Sequence, residues 1–192
     1  RQTTIDGETH ALSEPFFVIA TQNPVETAGT YPLPEAQLDR FLIRMSLGYT
    51  DRETEIGILS GIGESHPISD IGAVLTAEDL MSARKEALGV RVNDAVLGYI
   101  SDLGAATRNH EKIRLGLSTR GLIALKKMSQ AYAAVQGMEF VNPDCVKAVA
   151  PYVIPHRLVC RELSLSLSKK SAAEEITEQL LDSVAVPTEE IG

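Results

Sequence analysis

Two side chains in the stretch FFVIATQNPVETAGTYPLPEAQLDRF, residues 16 to 41, have the chemistry and the placement to handle a phosphate. Asn23 follows an unbroken apolar run, Phe16-Phe17-Val18-Ile19-Ala20, whose length and lack of alternation predict a strand covered on both faces, as in a parallel sheet. Open α/β sheets place ligands just past the carboxyl ends of such strands, and an amide there donates and accepts without adding charge. The plain alternative is an asparagine that caps the loop before Pro24, and Thr21 and Gln22 are weaker candidates beside it. Arg40 ends the segment Pro34 to Arg40, which reads as a short helix with proline in its first turn. Its guanidinium stays ionised and presents a planar fork of donors that lysine cannot replace. For an isolated Asp-Arg pair, a surface ion pair with Asp39 or Glu35 is the simpler reading.

These residues need elements to hold them. Residues 2 to 12 predict a β-hairpin, because Asp6-Gly7 is a favoured type I′ turn between β-branched Thr3, Thr4, Ile5 and Thr9. The run Phe41 to Leu47 predicts a second strand, closed by Gly48. Thr50 with Glu53 is a capping-box signature for a helix through about Ser60. GIGESHPISDIG, residues 61 to 72, lacks periodicity and reads as an interdomain linker. Beyond it, helices open at Thr76, Asn93, Ser118 and Asn142-Pro143 and stop near Leu88, Arg108, Gly137 and Pro151. Leu163, Leu165 and Leu167 alternate with serines as in a short strand, and Ser171 to Ser183 reads as an acidic helix.

Composition excludes several function classes. The formal net charge of -8 argues against broad attraction to nucleic acid or an anionic membrane. No apolar run approaches the roughly 20 residues needed to span a bilayer, and no signal-peptide pattern opens the chain, so a cytoplasmic location without membrane insertion is expected. Cys145 and Cys160 have no metal-ligand spacing, nor do His10, His66, His110 and His156, so no metal site is assigned.

Taken in order, IATQNP, GTYPLPEAQLDRF, the His66-Pro67 linker, the STRG at Ser118 to Gly121 and VNPDCVKAVAPYVIPHRL resemble the C-terminal part of MoxR-type AAA+ ATPases over roughly residues 1 to 160. The resemblance implies an α/β part, a β-hairpin plus the last strands and helices of a parallel-sheet P-loop core, followed by an all-α helical-bundle lid. The implied domains are 1–60 for the core part, 61–72 for the linker, 73–160 for the lid and 161–192 for a tail of short strand and helix. It further implies that Asn23 is sensor 1, which positions the attacking water, and that Arg40 is the arginine finger acting in trans on the neighbouring subunit's nucleotide. Such a finger contributes on the order of 10³ or more in rate. Arg120 matches sensor 2, with Thr119 standing where relatives carry proline. In the first turn of its helix, Arg120 adds its charge to the positive end of the helix dipole, which favours phosphate. Thr21 and Ser118 are possible further nucleotide contacts. Arg108 and Arg114 flank the same connector and read first as solvated surface charges.

The resemblance also implies ATP and Mg2+ as cofactors of the intact protein, a ring that is a hexamer, and chaperone-like assembly or activation of partners, among them proteins with von Willebrand factor A domains. The chain contains no GxxxxGKS/T loop. Read as an excised fragment, it is expected to hold no nucleotide tightly and to be inactive by itself. Two other classes stay open at this point: a stand-alone helical interaction module, and a DNA-acting ring ATPase, against which the acidic balance counts.

Overall fold

A computed structural model describes residues 2–22, 33–61, 68, 71–161 and 171–187. The chain divides into two units, Arg1–Phe17 with Met45–Ser82, and Val18–Arg44 with Ala83–Gly192.

In the first unit, order is local. Strands β1 (Gln2–Ile5) and β2 (Glu8–Ala11) pair antiparallel in the register Ile5 to Glu8. Asp6 at φ 51° and Gly7 at φ 84° are both left-handed, as the type I′ turn predicted from Asp-Gly requires. Helix α2 (Arg52–Gly61) starts one residue later than the Thr50 signature predicts. Its cap is Asp51, whose carboxylate accepts from the Thr54 amide at 2.8 Å. An ionised acceptor at a helix N-terminus gains from the dipole as well as the hydrogen bond, so it outcompetes the neighbouring hydroxyl. Helix α3 (Ala77–Gly89) opens on the expected Thr76. Its hydroxyl accepts from the Asp79 amide at 3.1 Å, while the Asp79 carboxylate accepts from the Thr76 amide at 2.8 Å, a reciprocal box closed by aspartate.

The second unit is built around α5 (Thr119–Val135), which packs most extensively on α6 (Pro143–Val153) and also on α4 (Asp94–Asn109). Each starts where a polar side chain can take the first free amides: Asn93 accepts from Val96, Ser118 from Gly121 and Asn142 from Cys145. Helix α5 ends in a Schellman motif, with Gly137 at φ 70°, Met138 N–H on Ala133 O and Gly137 N–H on Ala134 O. The apolar stripes of these helices meet in one core that includes Tyr99, Leu103, Leu125, Val146 and Val153, all at most 1% exposed.

Several expectations fail for identifiable reasons. The runs Phe16–Ala20 and Phe41–Leu47 enter no ladder among the described residues, and Ile19 and Leu47 are 90% and 92% exposed. A strand buried on both faces needs flanking strands, and no described strand flanks either run. Pro151 does not end α6, which continues to Val153. The proline removes one ladder bond, but the buried Val149, Ala150 and Val153 anchor the last turn. Part of the connector after α4 forms β3 (Ile113–Leu115), which pairs antiparallel with β4 (Val159–Cys160). Helix α7 (Ala172–Ser183), assigned from sequence to a separate tail, inserts Ile176, Leu180 and Leu181 into the same core. Residues 62–67, 69 and 70 of the expected linker, and the Leu-Ser repeat expected as a strand, lie outside the described residues. Among the described residues, no helix is long and apolar enough to cross a membrane.

Candidate functional site

The site grows from α1 (Glu35–Leu38), a single turn that Pro34 opens and that continues through Arg40 N–H on Gln37 O and Phe41 N–H on Leu38 O, both 3.1 Å. This turn fixes three successive side chains with different fates. Leu38 lies half-buried against the helical unit, Asp39 turns into a polar cluster, and Arg40 stays exposed.

Asp39 is the centre of that cluster. Its carboxylate accepts from Ser118 Oγ at 3.2 Å to either oxygen, lies 3.3 Å from Arg157 Nε and 3.9 Å from Arg120 Nη1. Ser118 thereby has two tasks. Its lone pair caps α5 through the Gly121 amide at 3.1 Å, and its proton goes to Asp39. The anion nearest the positive end of α5 is therefore the protein's own carboxylate. The Arg120 contact is long, and the arginine is 57% exposed at the side chain, so the pair holds it weakly and leaves most of its donors to solvent.

Arg157 is the opposite case, with 1% of its side chain exposed. It sits in a 3-10 turn, Pro155–Arg157, between α6 and β4. Its guanidinium donates to the carbonyls of Phe41, Leu42 and Val153, the Leu42 contact at 3.3 Å. Burial pulls its pKa below the usual arginine range, and the Asp39 charge opposes that pull. Beside it, His156 Nε2 lies 3.2 Å from Phe41 O. Burial first, and then the Arg157 charge, push the His156 pKa down to about 4, so the imidazole is neutral at pH 7. Its Nδ1 is buried and has no hydrogen-bond partner among the described residues.

The carboxylates that could have paired with Arg40 are engaged elsewhere. Asp39 faces Arg157, Arg120 and Ser118, while Glu35 accepts from Arg114 Nη2 at 2.8 Å. Arg40 thus enters none of the ion pairs of this cluster. Arg108 donates through Nε to Leu117 O at 2.9 Å, a backbone tie between α4 and the start of α5. Among the other sequence candidates, Thr21 is exposed and contributes nothing to the cluster, and Asn23 lies outside the described residues. An open pocket of about 780 Å³ adjoins the cluster, lined in part by Leu38, Leu117 and Leu158.

Sequence reasoning missed Asp39 as a hub and Arg157 altogether. One signal was available: an arginine inside VIPHRLV, an otherwise apolar block, is buried only if something pairs with it.

The sequence also matches known families. Residues 1–43 match the family described as "ATPase family associated with various cellular activities (AAA)", and residues 105–179 match the "AAA lid domain". The protein named YeaC of Bacillus subtilis is 42% identical over 97% of this chain and 58% of its own length. "Chaperone MoxR1" of Mycobacterium tuberculosis is 33% identical over 97% of this chain and 51% of its own. A crystal structure from Cytophaga hutchinsonii, titled a "putative ATPase", superposes with a TM-score of 0.82 at 32% identity, covering 97% of this chain and 59% of that one. The chain thus spans between half and three fifths of the length of these relatives. The lid match reaches into α7, in agreement with the packing of that helix in the core. With the AAA match over the hairpin and α1 turn, the lid match over the helical unit and MoxR-named relatives along nearly the whole chain, this chain belongs to the MoxR-type AAA+ ATPase family.

Proposed function

We propose that this chain supplies the arginine finger and the lid of a ring-forming ATPase. Arg40 acts in trans as the finger, Arg120 is the sensor 2 arginine, and Asn23 is sensor 1, with Thr21 and Ser118 as lesser contacts. ATP and Mg2+ are the cofactors of the whole protein, and a phosphate-binding loop, which these 192 residues lack, must come from elsewhere in it. The chain by itself is inactive. The ring, a hexamer, works in the cytoplasm as a chaperone-like machine on partner proteins, with von Willebrand factor A domain proteins as the favoured class. The name of the MoxR1 relative supports the chaperone reading.

The observation that carries this reading is the exposed Arg40 beside carboxylates already occupied by other arginines. A guanidinium that enters none of the described ion pairs of this cluster is suited to charge that develops on a transferring phosphoryl group. The same cluster supports an answer to which nucleotide Arg120 meets. Asp39, next to Arg40 in the chain, lies 3.9 Å from Arg120, which supports reading Arg120 at the same interface as Arg40. On this reading Arg120 faces the same nucleotide as Arg40, that of the neighbouring subunit. In the whole protein, Arg40→Ala lowers hydrolysis by about 10³-fold or more while ATP binding is retained. Hydrolysis at the parent rate would remove the finger assignment.

A further inference from the structure

We propose that Arg157 is the residue that positions the finger, gripping the backbone on one side of Arg40 and the side chain on the other. The inference rests on the reading of Arg40 as the finger and adds to it the device that aims it. Arg157 comes from the lid turn after α6, more than a hundred residues along the chain. Its guanidinium donates to Phe41 O and Leu42 O, the two carbonyls that follow Arg40, and its Nε faces Asp39, which precedes it. A planar cation with five donors can bridge these points at once, which a lysine ammonium cannot do with the same geometry.

The surroundings are shaped to admit this side chain. Gly121 in the first turn of α5 leaves the space through which the Arg157 stem passes, since a Cβ there would come within 3.1 Å of Arg157 Cδ and 2.8 Å of Leu117. The buried carbonyl of Val153 takes a further donor and ties the guanidinium to the end of α6. A guanidinium with 1% of its side chain exposed loses much hydration, which the three carbonyls replace in part by hydrogen bonds and Asp39 by its charge on Nε. The finger turn is thereby fastened to the lid as well as to its own short helix. A rotation of the lid would carry Arg40 with it, and misplacement of a reacting group by about 1 Å can cost on the order of 10²-fold in rate.

The test uses the whole protein in its ring form. Arg157→Gln lowers kcat for ATP by about 10²-fold, with KM and ring size at the parent values. Arg157→Lys does not restore kcat. Mixing Arg157→Gln subunits with subunits inactivated in the phosphate-binding loop recovers activity, because each ring then contains interfaces where a well-aimed finger meets an intact nucleotide site. A purely structural lesion in the lid would give no recovery on mixing and would overturn the proposal. Asp39→Asn, which keeps the shape and removes the charge, is the second variant and decides the matter if Arg157→Gln does not assemble. It too lowers kcat without changing KM, and parent-like kcat in that variant would overturn the proposal. The two levels separate cleanly: an active Arg40→Ala protein removes the finger reading itself, whereas an inactive Arg40→Ala beside fully active Arg157→Gln and Asp39→Asn removes only the positioning role.

Discussion

Helices α2 and α4 carry apolar residues at helical spacing, yet α4 buries Val96, Tyr99, Ile100 and Leu103 while α2 buries nothing. Both have a polar side chain at the N-terminus, Asp51 for α2 and Asn93 for α4. The difference is therefore not in the local signals. It lies in what surrounds each helix: α4 meets α5 and α6, whereas Ile58 and Leu59 of α2 stay 50% and 74% exposed. A cap and a periodic stripe make a helix possible, but only a partner face makes it a source of stability.

Truncation sharpens the contrast most. Leu125→Ala in α5, where the leucine is 0% exposed, removes a large core side chain, and chemical denaturation of the helical unit is expected to show a loss of about 3 kcal/mol. Leu59→Ala in α2 is expected to change stability by less than about 0.5 kcal/mol, as exposed substitutions do. Equal effects would break the comparison.

Acid distinguishes the same two regions. The His156 pKa is pushed down to about 4 in the folded chain, from the usual 6.5. A base with a depressed folded pKa is protonated more readily when unfolded, so its contribution is complete above about pH 6.5 and falls away as pH drops toward 4. Denaturation at stepped pH is expected to show a loss of up to about 3 kcal/mol from this group, and His156→Gln should flatten that slope. Near α2 the direction comes from carboxylates instead. Asp51 is held below its usual range, first by the Thr54 backbone amide, and it is fully exposed.

Caps give a smaller effect than the core leucine or the buried histidine. Asn142→Ala, which removes the acceptor for Cys145 N–H at 2.9 Å, should cost about 1 kcal/mol in the helical unit by thermal denaturation. No change would mean that core packing alone sets the start of α6.

What the sequence made legible divides along similar lines. Asp6-Gly7, Thr76, Asn93, Ser118, Gly137, Asn142 and Ser171 act through bonds to residues a few positions away, and each occurs where its chemistry predicts. The runs Phe16–Ala20 and Phe41–Leu47 were misjudged because an apolar run says that burial is favourable but not which surface supplies it. The Asp39 cluster was illegible for a different reason. Its contacts join the α1 turn to Ser118, Arg120 and Arg157, positions far from it in the chain, and no spacing rule reaches across that distance. Motif similarity found Arg40 and Arg120 separately, and only the fold brings Asp39, the neighbour of Arg40 in the chain, against Arg120.

That contact makes the most direct test a subunit-mixing ATPase assay on Arg120. In the whole protein, Arg120→Ala subunits and subunits inactivated in the phosphate-binding loop are each expected to hydrolyse little ATP, and their mixture is expected to recover activity, because an intact Arg120 from one subunit completes the nucleotide site of the next. Recovery would match that of Arg40→Ala in the same assay. If Arg40→Ala recovers on mixing and Arg120→Ala does not, Arg120 serves its own subunit's nucleotide, and the account that Arg120 and Arg40 act on one neighbouring nucleotide is contradicted.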